Sequence, residues 1–339
     1  MVGEGHPCFI IAELGVNHNK DVKIAKEMID AAIETGADAV KFQTWITEEL
    51  MVPNIGTAEY HRDLTGFDSF FELAKSIELT YDDFRELKAY CDEKGIIFMS
   101  TPDEEKSTDF LDEIGAPAFK VSSPEFNNPR MVKHILSKGK PTLMSTGMNT
   151  LENIQETMEV VAKTGNKNVG LFHCVSEYPA PLEIINLNQM KTLAEKFGCV
   201  VGFSDHTAGT VAAPLAIAAG AKIYEGHFTL SRKMKGPDHA SSLEPHEFKE
   251  VVDKIREAEM IMGKYDRGIT KTERENSQVM KKVIVAADDI PQGTTLTEDT
   301  IRMMRADYGI VPRREPEVLG KTTKVAYKKF DVVKLEDLE

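Results

Sequence analysis

The stretch Val200-Val201-Gly202-Phe203-Ser204-Asp205-His206-Thr207 decides the fold. An apolar run long enough for a buried strand gives way to hydroxyl, carboxyl and imidazole groups. Lys222-Ile223-Tyr224-Glu225-Gly226-His227-Phe228-Thr229 repeats that order further along. Each run puts one histidine at or just past a strand end, so imidazoles from neighbouring strands could meet one divalent ion. The plainer alternative is a pair of hydrogen-bonded core histidines.

Working outward, six more runs of this kind precede these two. They are Cys8–Ala12 ending at Glu13, Ala39–Gln43, Ile96–Ser100, Ala118–Val121, Thr142–Ser145 and Val169–Cys174. Helical periodicity lies between several of them: Val22–Thr35 closed by Gly36, Tyr81–Glu93 opened by Thr80 and ended by Gly95, and Leu151–Thr164. Eight strands alternating with helices predict an α/β fold of the (β/α)8 TIM-barrel type, with a doubly wound open sheet as the alternative. Thr44 to Ser69 reads as a long functional or mobile connection.

Polar residues fall at or just past the C-terminal end of every strand. They are Glu13; Lys41 with Gln43; Ser100 with Thr101; Lys120 with Ser123 and Glu125; Ser145 with Thr146; Ser176 with Tyr178; Ser204 with His206; and Glu225 with His227. In a barrel those ends form the mouth that carries the chemistry. A strand-end lysine can form an imine or bind an anion. Lys41 and Lys120, with Thr101, Ser123, Ser145 and the Ser145-Thr146-Gly147 turn into a helix, suit a phosphate cradle, although Thr146 could simply cap that helix. His206 and His227 would leave a divalent metal open positions to polarise a carbonyl. Asp238 could orient a water or a substrate hydroxyl, or merely form a turn. Glu13 is the candidate acid or base, or else the salt-bridge partner of Lys41.

The 339 residues exceed one small core, so a domain of about 250 residues plus a smaller unit is expected. The boundaries read as a barrel over 1–264, a polar linker over 265–280 and a small β-rich unit over 281–339, with a short helix around Glu298-Asp299. A net charge of −14 and a pI near 5.2 argue against nucleic acid or an anionic membrane as partner. Cys8, Cys91, Cys174 and Cys199 show no paired spacing and read as reduced packing residues. No signal peptide or membrane-length apolar run is visible, so a cytoplasmic location is expected.

Ordered segments along the chain carry a resemblance. They are Ile11-Ala12-Glu13-Leu14-Gly15-Val16-Asn17-His18, Val40-Lys41-Phe42-Gln43-Thr44, Phe119-Lys120-Val121-Ser122-Ser123, Ser145-Thr146-Gly147-Met148, His173-Cys174 through Tyr178-Pro179, Gly202 to Thr207, Glu225 to Thr229 and Gly236-Pro237-Asp238-His239. These closely resemble the sialic acid (nonulosonate) synthase family, and the terminal unit resembles its antifreeze-like (SAF) domain. Ser176-Glu177-Tyr178-Pro179-Ala180-Pro181 and the stretches Glu59-Tyr60 through Thr65-Gly66 and Glu78-Leu79 look more like the N-acetylneuraminate and legionaminate synthases. The aromatic Phe67–Phe71 stretch either packs on the barrel or touches a deoxygenated sugar.

The resemblance implies condensation of phosphoenolpyruvate with an N-acylated amino sugar of the N-acetylmannosamine type. Water adds, phosphate leaves by C–O cleavage, and the product is N-acetylneuraminate or a close analogue. It implies phosphoenolpyruvate binding by Lys41, Thr101, Lys120, Ser123, Ser145, Ser176 and Ser204. Sugar binding would fall to Gln43, Glu125, Tyr178 and Asp238, proton transfer to Glu13, and a Mn²⁺-type ion (Mg²⁺ or Co²⁺ as alternatives) to His206 and His227. It also implies a domain-swapped homodimer in which Arg305 reaches the partner's barrel mouth. The chain departs from the family pattern at Ala306-Asp307-Tyr308, Ser176, Gly226 and Ser122-Ser123-Pro124-Glu125. Three other readings stay open: a legionaminate synthase using 2,4-diacetamido-2,4,6-trideoxymannose, a lysine-imine aldolase and a non-catalytic sugar-binding protein.

Overall fold

The computed structural model describes residues 2–56, 65–263 and 268–339. The chain divides into two compact units, Met1–Gly263 and Lys264–Glu339.

The first unit is a closed parallel barrel of eight strands: β1 (Phe9–Gly15), β2 (Ala39–Thr44), β3 (Ile97–Pro102), β4 (Phe119–Val121), β5 (Thr142–Ser145), β6 (Val169–Cys174), β7 (Val200–Asp205) and β8 (Ile223–His227). Closure excludes the open-sheet alternative, because β1 pairs with both β2 and β8. Residues of one strand alternate between the two faces of the sheet. Ile10, Ala12, Val40, Phe42, Phe98, Phe119, Val121, Met144, Leu171, Val201, Phe203 and Tyr224 point outward and join one large core with the surrounding helices. Ile11, Ala39, Met99, Phe172 and Ile223 form a separate apolar cluster. By the same alternation that cluster fills the barrel interior. One inward step further along the strands come Glu13, Lys41, Thr101, Lys120, Ser145, Cys174, Ser204 and Glu225. The strand ends therefore carry a polar layer stacked on an apolar plug.

Local signals set the helix limits. Val22–Thr35 starts where Asp21 accepts the backbone N–H of Lys23 (2.8 Å) and ends at Gly36, whose φ is 87°. Tyr81–Lys94 and Leu151–Thr164 each open with a capping box, Thr80 with Asp83 and Thr150 with Asn153. Thr146, read as a possible cap, instead donates from Oγ1 to the Phe172 carbonyl (2.8 Å). The connection after β2 is not structureless: it carries helices Thr47–Leu50 and Phe70–Ile77. Part of it, including Glu59-Tyr60, lies outside the described residues. Glu78 joins the two helices by accepting from the Thr47 N–H (2.9 Å) and binding Lys75 (2.9 Å).

The second unit contains the antiparallel pair β9 (Lys282–Ala286) and β10 (Ile301–Arg305) around a core of Ile284, Leu296, Ile301, Ile310, Val318 and Val333. Residues 265–280, read as a polar linker, carry over their described part the helix Lys271–Met280, opened by a Thr270/Glu273 capping box. One expectation is corrected. Around Glu298-Asp299 there is a turn and no helix, because the two residues lie within one Thr297–Thr300 hydrogen-bonded turn (3.1 Å).

Gly202 is the residue that the barrel interior leaves least room for. A Cβ there would stand 2.7 Å from the Ile223 carbonyl oxygen and 2.7 Å from Phe172 Cε1. Gly202→Ala is expected to destabilise the fold by about 1–3 kcal/mol through overpacking. Urea unfolding measures it, and an unchanged midpoint would contradict this packing.

Candidate active site

A cavity of about 610 Å³ opens at the C-terminal ends of the barrel strands. At its base lies a chain of buried charges. Lys120 Nζ donates to both Glu225 oxygens (2.7 and 2.9 Å), and Ser204 Oγ donates to Glu225 Oε1 (3.1 Å). Lys41 Nζ lies 3.9 Å from Glu225 Oε2 and 2.7 Å from Glu13 Oε2, and it donates to Thr101 Oγ1 (3.0 Å). Gln43 Nε2 closes the chain on Glu13 Oε1 (3.0 Å).

These neighbours pull the four groups apart electrostatically. Burial pushes the Glu13 carboxyl above the usual carboxylate range, against the pull of Lys41. Burial also acts to raise Glu225, but Lys120 and Lys41 outweigh it and bring that carboxyl down to about 2. For Lys41, burial is outweighed by Glu13 and Glu225, and the ammonium is held above its ordinary range. Lys120 is drawn down by burial despite Glu225. Two carboxyl groups with different proton affinities across one site are the usual signature of divided acid and anion roles.

Backbone detail aims Glu13. The strand register breaks between Glu13 and Gly15, where Gly15 takes φ 49°. A Cβ on Gly15 would lie 3.3 Å from Glu13 Oε1, 3.4 Å from Gln43 Nε2 and 3.6 Å from Asp238 Oδ2. This glycine therefore lets three candidate residues converge. Asn17 Nδ2 then donates to the Phe228 carbonyl and to Ser242 Oγ (both 2.9 Å), tying the exit of β1 to that of β8.

His206 and His227 stand across the cavity with ring centroids 5.4 Å apart, and Tyr178 lies 4.2 Å from the His206 ring. His206 Nδ1 is 2.6 Å from the Val175 carbonyl and so carries a proton, which in the neutral ring puts the lone pair on Nε2; against burial, Cys174 and that carbonyl hold the imidazole above its ordinary range. The His227 Nδ1 is buried with no hydrogen-bond partner among the described residues, and Asp238 Oδ2 is 3.9 Å from it. Burial, then His206 and Lys41, push the His227 imidazole down to about 3, so it is neutral at ordinary pH. Two imidazoles, each with a ring nitrogen that has no hydrogen-bond partner among the described residues, fit a divalent cation completed by water or substrate. Among the described residues no cluster of three or more His, Cys, Asp or Glu is arranged to hold a metal alone.

Ser123, Ser145, Ser176, Ser204, Gln43, Glu125 and Asp238 all line this same cavity. A Cβ on Gly147 would run into Ser176 and Ser123 Oγ, so that turn brings their hydroxyls together. The helix after it supplies no free N-terminus, being capped by Thr150 and Asn153. Arg305 ends β10 in the other unit, exposed and opposite Lys282. Sequence reasoning gave no role to four cavity-lining features. Glu225 lies at a strand end, and nothing local in the sequence points to the two lysines it faces. Cys174, read as packing, lies 3.9 Å from His206 Nδ1 and 3.7 Å from Ser123 Oγ. Ser122 Oγ is buried with no hydrogen-bond partner among the described residues. Asp103, two residues past Thr101, went unread, although its distance from the strand end was the available signal.

The NeuB family model matches residues 28–267 and the SAF domain model residues 281–339. An N,N'-diacetyllegionaminic acid synthase from Campylobacter jejuni is 38% identical, covering 96% of this chain and 98% of that protein. The human N-acetylneuraminate-9-phosphate synthase is 34% identical, covering 99% and 94%. The crystal structure of an N-acetylneuraminic acid (sialic acid) synthetase from Leptospira borgpetersenii in complex with citrate is 31% identical. It superposes with a TM-score of 0.74 over 81% of this chain and 92% of that one.

Glu225 is the only carboxylate bonded to Lys120 among the described residues. Glu225→Gln leaves buried ammonium charge uncompensated and is expected to cost about 3 kcal/mol of stability. Equilibrium denaturation checks it, and a loss under about 1 kcal/mol would show that the lysines are solvated.

Proposed function

The chain belongs to the NeuB family, and on that premise we propose that it condenses phosphoenolpyruvate with an N-acylated amino sugar of the N-acetylmannosamine type. Water is consumed, and the products are N-acetylneuraminate or a close analogue and phosphate. The observation that carries this reading is the pairing, in one cavity, of a hydroxyl-ringed double-lysine floor with a two-histidine wall. The alternative within the family, a legionaminate synthase acting on 2,4-diacetamido-2,4,6-trideoxymannose, draws support from the Campylobacter relative.

In this reading Lys41 and Lys120 neutralise the anionic groups of phosphoenolpyruvate. Thr101, Ser123, Ser145, Ser176 and Ser204 orient its oxygens. Gln43, Glu125, Tyr178 and Asp238 hold the open-chain sugar above it. His206 and His227 hold a divalent ion, Mn²⁺ or alternatively Mg²⁺ or Co²⁺, which when bound polarises a carbonyl oxygen. C3 of phosphoenolpyruvate forms a bond to the aldehyde carbon, water adds at C2, and the C2–O bond breaks as phosphate departs and C2 becomes a carbonyl; one proton of the water ends on the former aldehyde oxygen and the other leaves with the phosphate. Glu13, raised by burial and steadied by Gln43, takes the proton set free as water adds. Lysine-imine chemistry fits less well, since Lys120 is engaged at both Glu225 oxygens and Lys41 is held as an ammonium.

With phosphoenolpyruvate, Mn²⁺ and N-acetylmannosamine or its 2,4-diacetamido-trideoxy analogue, inorganic phosphate should appear, carrying an oxygen-18 label placed in the bridging position. Chelation and His206→Ala should abolish release, and Glu13→Gln should lower kcat by about 10²–10⁴-fold. No turnover with either sugar, or pyruvate trapped on a lysine by borohydride, would sink the reading.

The reading extends to a domain-swapped homodimer in which Arg305 of one chain completes the partner's site. Inactive Glu13→Gln and Arg305→Ala proteins, unfolded and refolded together, should then regain activity in mixed dimers. Absence of complementation in dimers shown to be mixed would refute the swap.

A further inference from the structure

A second, smaller cavity of about 150 Å³ opens beside the main one and shares Gln43, Leu50, Met51, Phe70, Asp103 and Asp238 with it. The insert after β2 builds this annex, with Trp45, Leu73 and Ile77 adding to its apolar wall. Glu78 holds that wall in place through Thr47 and Lys75, and Trp45 Nε1 donates to Thr47 Oγ1 (3.1 Å). Of the Phe67–Phe71 stretch, Phe70 lines both spaces.

Asp103 stands on the shared wall. It follows Pro102 at the end of β3, and its backbone N–H donates to the Thr44 carbonyl (3.1 Å), which anchors the chain at that point. Its carboxyl makes no hydrogen bond among the described residues, unlike Glu13 and Glu225 below it, and is available to a ligand. Burial and then Glu125 hold it up at about 7, so it can donate as well as accept. No Lys or Arg is among the described residues lining the annex.

These features set what the annex accepts. The reacting end of a sugar belongs at the lysines and histidines, which leaves its distal end at the annex entrance. Apolar walls favour a methyl or acyl group by removing it from water. A phosphate there would be desolvated against apolar side chains and a carboxyl, with no described cation to compensate. Resting on the condensation reading, we propose that Asp103 is a specificity-determining residue. It hydrogen-bonds the distal part of the amino sugar at the annex entrance, admitting an uncharged, carbon-rich end and refusing a phosphorylated one.

The test uses the full chain with phosphoenolpyruvate, Mn²⁺ and three sugars: N-acetylmannosamine, its 6-deoxy analogue and its 6-phosphate. The expected kcat/KM order is 6-deoxy at least equal to the parent, with the 6-phosphate at least about tenfold lower. Asp103→Asn should raise the sugar KM about tenfold while the KM for phosphoenolpyruvate stays the same. Asp103→Lys should narrow the discrimination against the 6-phosphate by a similar factor, and thermal melting checks that both variants fold. Wild-type protein that uses the 6-phosphate as well as the parent, or folded variants that keep the wild-type ranking, would overturn the assignment. Calorimetric titration of the same sugars separates this outcome from failure of the condensation reading. The expected binding order without phosphate release overturns the reaction and keeps Asp103, whereas turnover without the order overturns Asp103 alone.

Discussion

The site depends on one buried carboxylate, Glu225, bonded to Lys120 through both oxygens and set close to Lys41. Burying two ammonium groups at the base of a barrel is costly unless opposite charge sits between them. Glu225 supplies it from β8, while Glu13 supplies a second carboxyl from β1 to Lys41. The barrel is what brings these groups together. β1 pairs with β2 on one side and β8 on the other, so Glu13 lies opposite both Lys41 and His227 in register. In this way the closure of the sheet, the charge balance and the placement of the imidazoles become a single constraint.

That constraint explains the unequal proton affinities. Glu225 faces both lysines and stays a carboxylate, whereas Glu13 has one lysine, an amide partner and full burial, and is shifted upward. The protein as a whole carries −14, yet the cavity base pairs its charges nearly one for one. On the condensation reading, an arriving anion would meet ammonium groups already engaged and would gain most where it shares them with hydroxyls such as Thr101 and Ser204.

Much of the fold was legible because it is written locally. Thr142–Ser145, Val169–Cys174, Val22–Thr35 and Leu151–Thr164 have the limits their apolar runs and end signals predict. The polar residues at strand ends were legible as a mouth for the same reason: period-two alternation turns them inward. What escaped notice depends on partners distant in sequence. Glu225 reaches across 105 positions to Lys120, and no local pattern announces that contact. Cys174 sits in an apolar run like any packing cysteine, and only the barrel register brings it into the polar layer that lines the cavity. Asp103 lies just past a proline, where an aspartate ordinarily signals a turn. The Lys271–Met280 helix is a different case: its Thr270-x-x-Glu273 cap was visible, but its polar composition hid it.

The apolar plug of Ile11, Met99, Phe172 and Ile223 has a consequence for traffic. Among the described residues it fills the barrel beneath the charged layer, on the side away from the cavity mouth. On the condensation reading, a ligand seated on the lysines would lie beneath one seated at the rim, so the depth of the charged layer would set the order in which the two arrive.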